Sequence, residues 1–174
     1  MSERLTIAEV NALDRAGFVA RFGGVFEGEP WMVTAAWPAR PFADRAALAR
    51  ALTEAISRAP ASRQLDLIQA HPDLGGRAAL AGTLTRASTG EQQAAGLDPG
   101  RLTAEEVERF AALNEAYRAR FGFPFVICAR ENQKEQILAG FAARLTHRRE
   151  QEIATALAEI GKIGHYRLVD LVEE

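Results

Sequence analysis

The apolar residues of this 174-residue chain recur mostly three or four positions apart, which is the spacing of helices. Good helix formers (Ala, Leu, Glu and Arg) dominate, and alternating runs of β-branched residues are almost absent. The pattern therefore predicts an all-α fold, a single compact multi-helix bundle. The length suits one domain with a substantial core, and we expect residues 1–174 to form it.

Capping residues predict where the helices of the first half begin. Residues with N-cap chemistry precede the apolar runs at four positions: Thr6, Asp14, Asp44 and Ser62. Thr6 with Glu9 fits a capping box. The predicted helices end at Gly23-Gly24, near Arg58 and at Ala70, and a further short helix lies between Pro30 and Pro38.

In the second half, two capping boxes are predicted. Ser88 with Glu91 would open a short helix that Gly96 closes, and Thr103 with Glu106 would begin a long helix that runs to Arg120 and stops at Gly122. Later helices are expected over 133–146, over 150–160, and after Gly161 or Gly164.

Charge and cysteine content narrow the function classes. With 21 basic and 23 acidic residues the formal charge is −2, so no net basic field attracts nucleic acid or an anionic membrane. The first six residues lack the apolar core that is expected of a signal peptide, and no apolar run approaches the roughly 20 residues of a spanning helix. Cys128, the single cysteine, fits a reducing compartment. We expect a cytoplasmic protein, and the Ala/Arg-rich composition without a Ser-Lys-Leu terminus favours a bacterial source.

His71 is the first candidate for chemistry, because Pro72 holds it in a break between helices, where a side chain can point into a cleft. That placement suits a proton donor. The alternative is a histidine that caps the preceding helix or is merely exposed. No two of the three histidines have the i, i+4 spacing of a helical metal pair, so a metal site is not expected.

Two further stretches have both a functional and a structural interpretation. The Ser88–Gln92 stretch would attract an anion at a helix amino terminus and orient ureido groups, or serve only as a capping box. The 121–127 segment, Phe-Gly-Phe-Pro-Phe-Val-Ile, would be a buried connector whose backbone groups need partners, and an amide-rich heterocycle would supply some of them.

Arginines near the carboxyl end are candidates for gripping a carboxylate. Arg167 is either a solvated cation or a bidentate partner of a substrate, and Arg130 and Arg144 are rivals for that role. Cys128 has no histidine beside it in the sequence and is interpreted as a small buried hydrophobe rather than a nucleophile.

In order along the chain, these motifs resemble the family of 2-oxo-4-hydroxy-4-carboxy-5-ureidoimidazoline (OHCU) decarboxylases. The resemblance covers nearly the whole chain. It rests on His71-Pro72-Asp73-Leu74, on Ser88-x-x-Glu91-Gln92, on the block from Leu113-Asn114-x-x-Tyr117 to Cys128, and on Glu152-Ile153 to Arg167-Leu168. His147 departs from the family's pattern, where asparagine is expected, and this affects a local helix contact more than the chemistry.

The resemblance implies cofactor-independent decarboxylation of OHCU to (S)-allantoin and CO2, the last step from urate to allantoin. It implies His71 as the proton donor. Glu91 would anchor the ureido arm and, if it lies close to His71, would favour the protonated form of the imidazole. The other substrate-binding residues that it implies are Pro72, Ser88, Thr89, Gly90, Gln92, Phe123, Pro124, Phe125, Val126, Ile127 and Arg167. It further implies an all-helical homodimer with no metal or organic cofactor, a small-molecule substrate and no nucleic-acid or membrane partner.

Two other classes of function stay open at this point. His-Pro-Asp also marks the loop of J-domain co-chaperones, although the preceding 63–70 segment has one arginine and one aspartate where a basic helix is expected. A ureide-binding module that keeps the pocket without the reaction is the other alternative.

Overall fold

The helices account for most of the chain in this computed structural model, which describes residues 3–76, 81–98 and 100–174. Nine α-helices lie within these ranges. In chain order they are α1 (Ile7–Ala12), α2 (Arg15–Phe22), α3 (Trp31–Ala36), α4 (Arg45–Ser57), α5 (Ala61–Gln69), α6 (Arg86–Ala94), α7 (Ala104–Phe121), α8 (Lys134–Arg144) and α9 (Arg149–Leu171). Short 3₁₀ turns occupy Trp37–Ala39 and Ala129–Glu131. The described ranges contain no β-strand, only an isolated bridge between Leu5 and Val172, so the all-α prediction is confirmed.

The chain divides into two compact units. The first joins the chain up to Leu67 with Gly161–Glu174, and the second is Ile68–Ile160. Aromatic rings form much of each core. Phe18 packs against Phe22, Trp37 and Phe42 in the first unit, and the second is built on rings that contact one another: Phe110, Tyr117, Phe121, Phe123, Phe125 and Phe141.

Most of the predicted helix starts are correct. The Thr6 and Thr103 hydroxyls each accept the N–H of the glutamate three residues later, and both capping boxes are complete. Asp14 and Asp44 cap α2 and α4 through their carboxylates. The long helix α7 stops at Gly122, which has the left-handed conformation with φ 82°.

The predicted caps Ser62 and Ser88 are wrong. Helix α5 begins at Ala61, two residues before the predicted start at Arg63, and the N–H groups of Arg63 and Gln64 donate to the carbonyl of Pro60. Helix α6 begins at Arg86, because the Thr85 hydroxyl accepts the N–H of Ser88 at 3.2 Å and caps the helix. Thr85 has the same capping chemistry three residues earlier, which leaves Ser88 inside the first turn.

A second error concerns the end of the chain, where two helices were predicted and α9 is continuous through Gly161 and Gly164. Gly164 is not a stop signal: a Cβ there would lie 2.5 Å from the ring of Phe26. The glycine is therefore required for a close helix–ring approach within the first unit.

None of the helices in the part of the chain that the structure describes is long and apolar enough to cross a membrane.

Candidate functional site

His71 lies directly after α5, in the second unit, with 5% of its surface exposed. Its backbone N–H donates to the carbonyl of Ile68 at 3.2 Å, which ends the helix, and Pro72 then directs the chain away. The histidine is thus buried at a helix end rather than displayed on the surface.

Side chains from two helices hold the loop that follows His71. Gln92 of α6 uses both ends of its amide: its Nε2 donates to the Asp73 carbonyl and its Oε1 accepts from the Gly75 N–H, each at 3.1 Å. Asn114 of α7 donates from Nδ2 to the carbonyl of Leu74 at 3.0 Å. Three successive residues of the loop therefore have fixed backbone positions.

The loop is also held by charge and by close packing. Arg118 of α7 meets the Asp73 carboxylate with Nε at 3.0 Å and Nη2 at 2.9 Å. Gly75 has φ +60°, and a Cβ there would lie 3.0 Å from the ring of Phe110. Only glycine fits that conformation and that space.

Helix α6 carries the Ser88–Gln92 stretch. Ser88, Glu91 and Gln92 are buried, since the i, i+3, i+4 spacing places them on one face. The Thr89 hydroxyl donates a hydrogen bond to the carbonyl of Thr85 at 2.9 Å, and Gly90 is exposed. Three of the five predicted residues, Ser88, Glu91 and Gln92, therefore lie on the buried face of α6, and Thr89 and Gly90 do not.

Glu91 has a cationic neighbour in the second unit. Its Oε1 lies 3.8 Å from Nε of Arg130, in the 3₁₀ turn. This contact makes Arg130, one of the candidates for gripping a carboxylate, a partner of the protein's own Glu91.

The buried, non-helical connector expected over 121–127 is confined to 123–127, because Phe121 is the last residue of α7 and Gly122 ends that helix. Within it Phe123, Pro124, Phe125 and Val126 are buried, and Ile127 is half-buried. Two charged side chains hold its end. Arg144 donates from Nη1 to the Val126 carbonyl at 2.6 Å, and Glu159 accepts the N–H of Cys128 at 2.8 Å.

Arg144 is itself fixed by a buried ion pair with Glu152, with Nε 2.7 Å from Oε1. Burial opposes the charge of Glu152, but hydrogen bonds from Tyr117, Arg144 and His147 outweigh burial and hold the pKa of this carboxyl below its ordinary value. The Arg144 guanidinium also lies 4.3 Å from the ring centre of Phe125. Arg144 therefore acts inside the protein. The partly exposed His147 contributes to the cluster through Nδ1, which lies 3.0 Å from Oε2 of Glu152.

Burial raises the pKa of the Tyr117 phenol, and its hydrogen bond to Glu152 acts in the same direction. The phenol therefore stays protonated and remains a donor to that carboxylate. Tyr117 and Arg144 therefore both donate to the Glu152 carboxylate at neutral pH.

Arg167 belongs to the first unit and is buried, with 5% exposed, so it is not a solvated cation. Its Nη2 lies 3.1 Å from Oε1 of Glu27, and its Nη1 donates to the carbonyl of Val25 at 3.3 Å. Glu27 also lines a cavity of about 380 Å³ together with Trp31 and Arg63. The predicted arginine is thus bonded to a residue that lines a cavity of the same unit.

Sequence reasoning gave no anchoring role to four residues that hold the loop and the connector: Asn114, Arg118, Glu152 and Glu159. It selected Arg144 only as a partner for a substrate carboxylate, whereas Arg144 bonds Glu152 and Val126. A signal existed for one of them. Glu152 shares a helical face with Ala156, Ile160 and Ile163, and a carboxylate on an apolar face requires a buried partner.

A model of the OHCU decarboxylase family matches residues 11–169. The chain belongs to the OHCU decarboxylase family. The chain is 42% identical over 169 residues to the 2-oxo-4-hydroxy-4-carboxy-5-ureidoimidazoline decarboxylase of Amia calva, covering 97% of this chain and 95% of the relative. A relative of the same name from Haloferax volcanii is 40% identical, with 95% of each chain covered.

A solved structure also resembles this one. The crystal structure of (S)-allantoin synthase matches with a TM-score of 0.77 and 27% identity over 97% of this chain. The chain spans about half the length of that protein, 54%. Because relatives of this family come from an animal and an archaeon, the similarity does not support the bacterial source that composition suggested.

Proposed function

We propose that this chain decarboxylates OHCU to (S)-allantoin and CO2, the last step in the conversion of urate to allantoin, as a carboxy-lyase. The observation that carries the proposal is the family match over residues 11–169, which includes a buried His71 on an anchored loop. His71 is the proposed proton donor.

The reaction needs an electron sink and a proton. When the bond to the carboxylate breaks, CO2 leaves and the electron pair enters the conjugated imidazoline ring of the substrate itself, so we propose that no added cofactor takes part. The imidazolium of His71 then gives its proton to a ring carbon from one face, which sets the (S) configuration. Solvent returns the proton to the imidazole. General acid assistance of this kind contributes about 10²- to 10⁴-fold.

The remaining predicted residues are assigned to substrate binding. Glu91 and Ser88 face the buried side of α6, where a carboxylate and a hydroxyl suit the N–H and C=O groups of a ureido arm. Gln92 supports this site by holding the loop, since both ends of its amide are bonded to it. The assignments of Pro72, Thr89, Gly90 and the 123–127 backbone rest on the family's motifs.

Arg167 is proposed to recognise the substrate's negative charge. The Glu27 carboxylate and the Val25 carbonyl hold its guanidinium in one orientation, which lowers the entropic cost of gripping an anion. Arg167→Lys would keep the positive charge but lose the planar guanidinium, which can donate two hydrogen bonds to one carboxylate.

The assembly and location of the protein are also proposals. We expect a homodimer in the cytoplasm, with the whole of residues 1–174 acting as one functional domain. Light scattering of the purified chain at several concentrations distinguishes a dimer from a monomer.

A ureide-binding module without the reaction is the second candidate, since all the binding groups above would also serve such a protein. A chaperone-docking role is less well supported, because His71 is buried and Asp73 is engaged by Arg118, whereas a docking motif must be accessible to its partner.

The proposal is tested by supplying OHCU freshly made from urate and following circular dichroism. We expect the wild-type chain to produce the (S)-allantoin signal well above the spontaneous rate. Binding of the ureide without faster allantoin formation would identify a binding module instead.

A further inference from the structure

Two charged side chains fix the peptide groups on either side of Ile127. Arg144 Nη1 bonds the carbonyl of Val126 at 2.6 Å, and Glu159 Oε2 accepts the N–H of Cys128 at 2.8 Å. Both peptide groups are trans, because the cis bond within the described residues is Arg40-Pro41. In a planar trans peptide the C=O and N–H point in opposite directions. The N–H of Ile127 therefore points away from Arg144, and its C=O points away from Glu159.

These two groups of Ile127 form no hydrogen bond among the residues that the structure describes. Val126 and Cys128 on either side are buried, at 3% and 0% exposure, and Ile127 itself is half-buried. Backbone donors and acceptors in such surroundings require partners. One donor and one acceptor on a single residue complement the C=O and N–H of a urea or amide group.

We infer that Arg144 and Glu159 are positioning residues that orient the Ile127 N–H and C=O toward a ureide ligand. The inference rests on the proposed function and adds to it the groups that place the connector's backbone.

The two anchors are rigid enough for this role. Arg144 is held at the end of α8 by the buried Glu152 and lies over the Phe125 ring, and Glu159 projects from the long helix α9. Hydrogen bonds to ionised groups are the stronger ones, so each peptide plane stays in one orientation. A preoriented donor–acceptor pair binds its ligand with less loss of entropy.

The test compares Glu159→Gln with Glu159→Met, two side chains of similar length. Gln keeps an oxygen that can accept the Cys128 N–H, and Met does not. We expect Glu159→Met to raise both the KM for OHCU and the Kd for (S)-allantoin by about 10-fold, the value of one hydrogen bond to a charged group, with kcat within about 3-fold. Glu159→Gln should stay within about 3-fold of wild type in both constants.

Arg144→Lys is a second variant. It keeps the positive charge beside Glu152 but loses the guanidinium group that bonds Glu152 and the Val126 carbonyl at the same time. It should raise the same two constants. Glu106→Met is the matched control, because the Glu106 carboxylate also accepts a backbone N–H, that of Thr103, in the capping box of α7. It should lower the melting temperature and leave ligand affinity unchanged.

If Glu159→Met and Arg144→Lys lower the melting temperature but bind (S)-allantoin like wild type, the two residues are structural only and the inference is wrong. That result would leave the proposed function intact, since the wild-type chain would still turn over OHCU. A wild-type chain that neither accelerates decarboxylation nor binds (S)-allantoin would overturn both.

Discussion

Asn114 is the best place to test whether the anchored loop matters for the reaction. Its Nδ2 donates to the carbonyl of Leu74, one residue in the loop that begins with His71, and both residues are buried. Its Oδ1 is buried and accepts no hydrogen bond among the described residues, so Asn114→Leu removes only the hydrogen bond from Nδ2 to the Leu74 carbonyl. The change nearly preserves volume.

The expected loss follows from the one carbonyl left behind. An unpaired buried carbonyl costs about 1–3 kcal/mol. For a chain of this size about 2 kcal/mol corresponds to a fall in melting temperature of roughly 4–8 °C. Because the Leu74 carbonyl is no longer fixed, the His71 loop shifts, and a displacement of about 1 Å lowers the decarboxylation rate by about 10- to 100-fold.

The assay measures kcat with fresh OHCU alongside urea denaturation of the same sample. Asn114→Asp is the companion variant: it keeps the shape but turns an acceptor toward the Leu74 carbonyl, and it should be worse than Asn114→Leu at neutral pH. A folded Asn114→Leu variant with lower stability and wild-type kcat would refute the claim that the loop's anchors position the proton donor.

Three further outcomes are expected elsewhere in the molecule. Gly164→Ala should destabilise the chain by about 1 kcal/mol or more through its clash with Phe26, whereas Gly161→Ala, whose Cβ would meet only an ordinary 3.5 Å contact, should be neutral or stabilising; equal thermal shifts would contradict the packing argument. The lowered pKa of Glu152 means that its ionised form stabilises the fold above the ordinary pKa of 4.5, and that this stabilisation is lost as the pH falls through the pKa of the folded state. The free energy of unfolding that Glu152→Gln loses relative to wild type, measured in urea, should therefore become smaller in acid. A loss that does not change with pH would refute this. Burial raises the pKa of the Cys128 thiol, so native protein should resist a thiol reagent at neutral pH that labels unfolded protein quickly, and rapid labelling of native protein would show the site to be open.

The sequence predicted the helices well where a local signal determines them. Thr6, Asp14, Asp44 and Thr103 cap helices as expected, because capping depends on residues within three positions. Ser88 failed because Thr85 offers the same chemistry one turn earlier, and local pattern cannot rank the two. Gly164 failed because its reason is the ring of Phe26, distant in sequence.

In the candidate site, too, residues marked by a local motif could be predicted, and contacts between residues distant in sequence could not. His71 and Glu91 could be selected from motifs, since a histidine in a break and a carboxylate at helical spacing are visible in the sequence. Gln92 was predicted to bind substrate, and the structure adds that its amide holds Asp73 and Gly75, 19 and 17 residues away. Contacts of this range, like that between Arg144 and Val126, require the folded chain to bring the partners together.

The central claim is that His71 protonates the decarboxylated substrate. The most direct measurement compares wild type with His71→Asn in the coupled OHCU assay, with calorimetry to confirm that the variant still binds (S)-allantoin. We expect a folded, ligand-binding variant that produces (S)-allantoin no faster than the spontaneous background. A variant that keeps the wild-type rate would contradict it and assign the proton to another group.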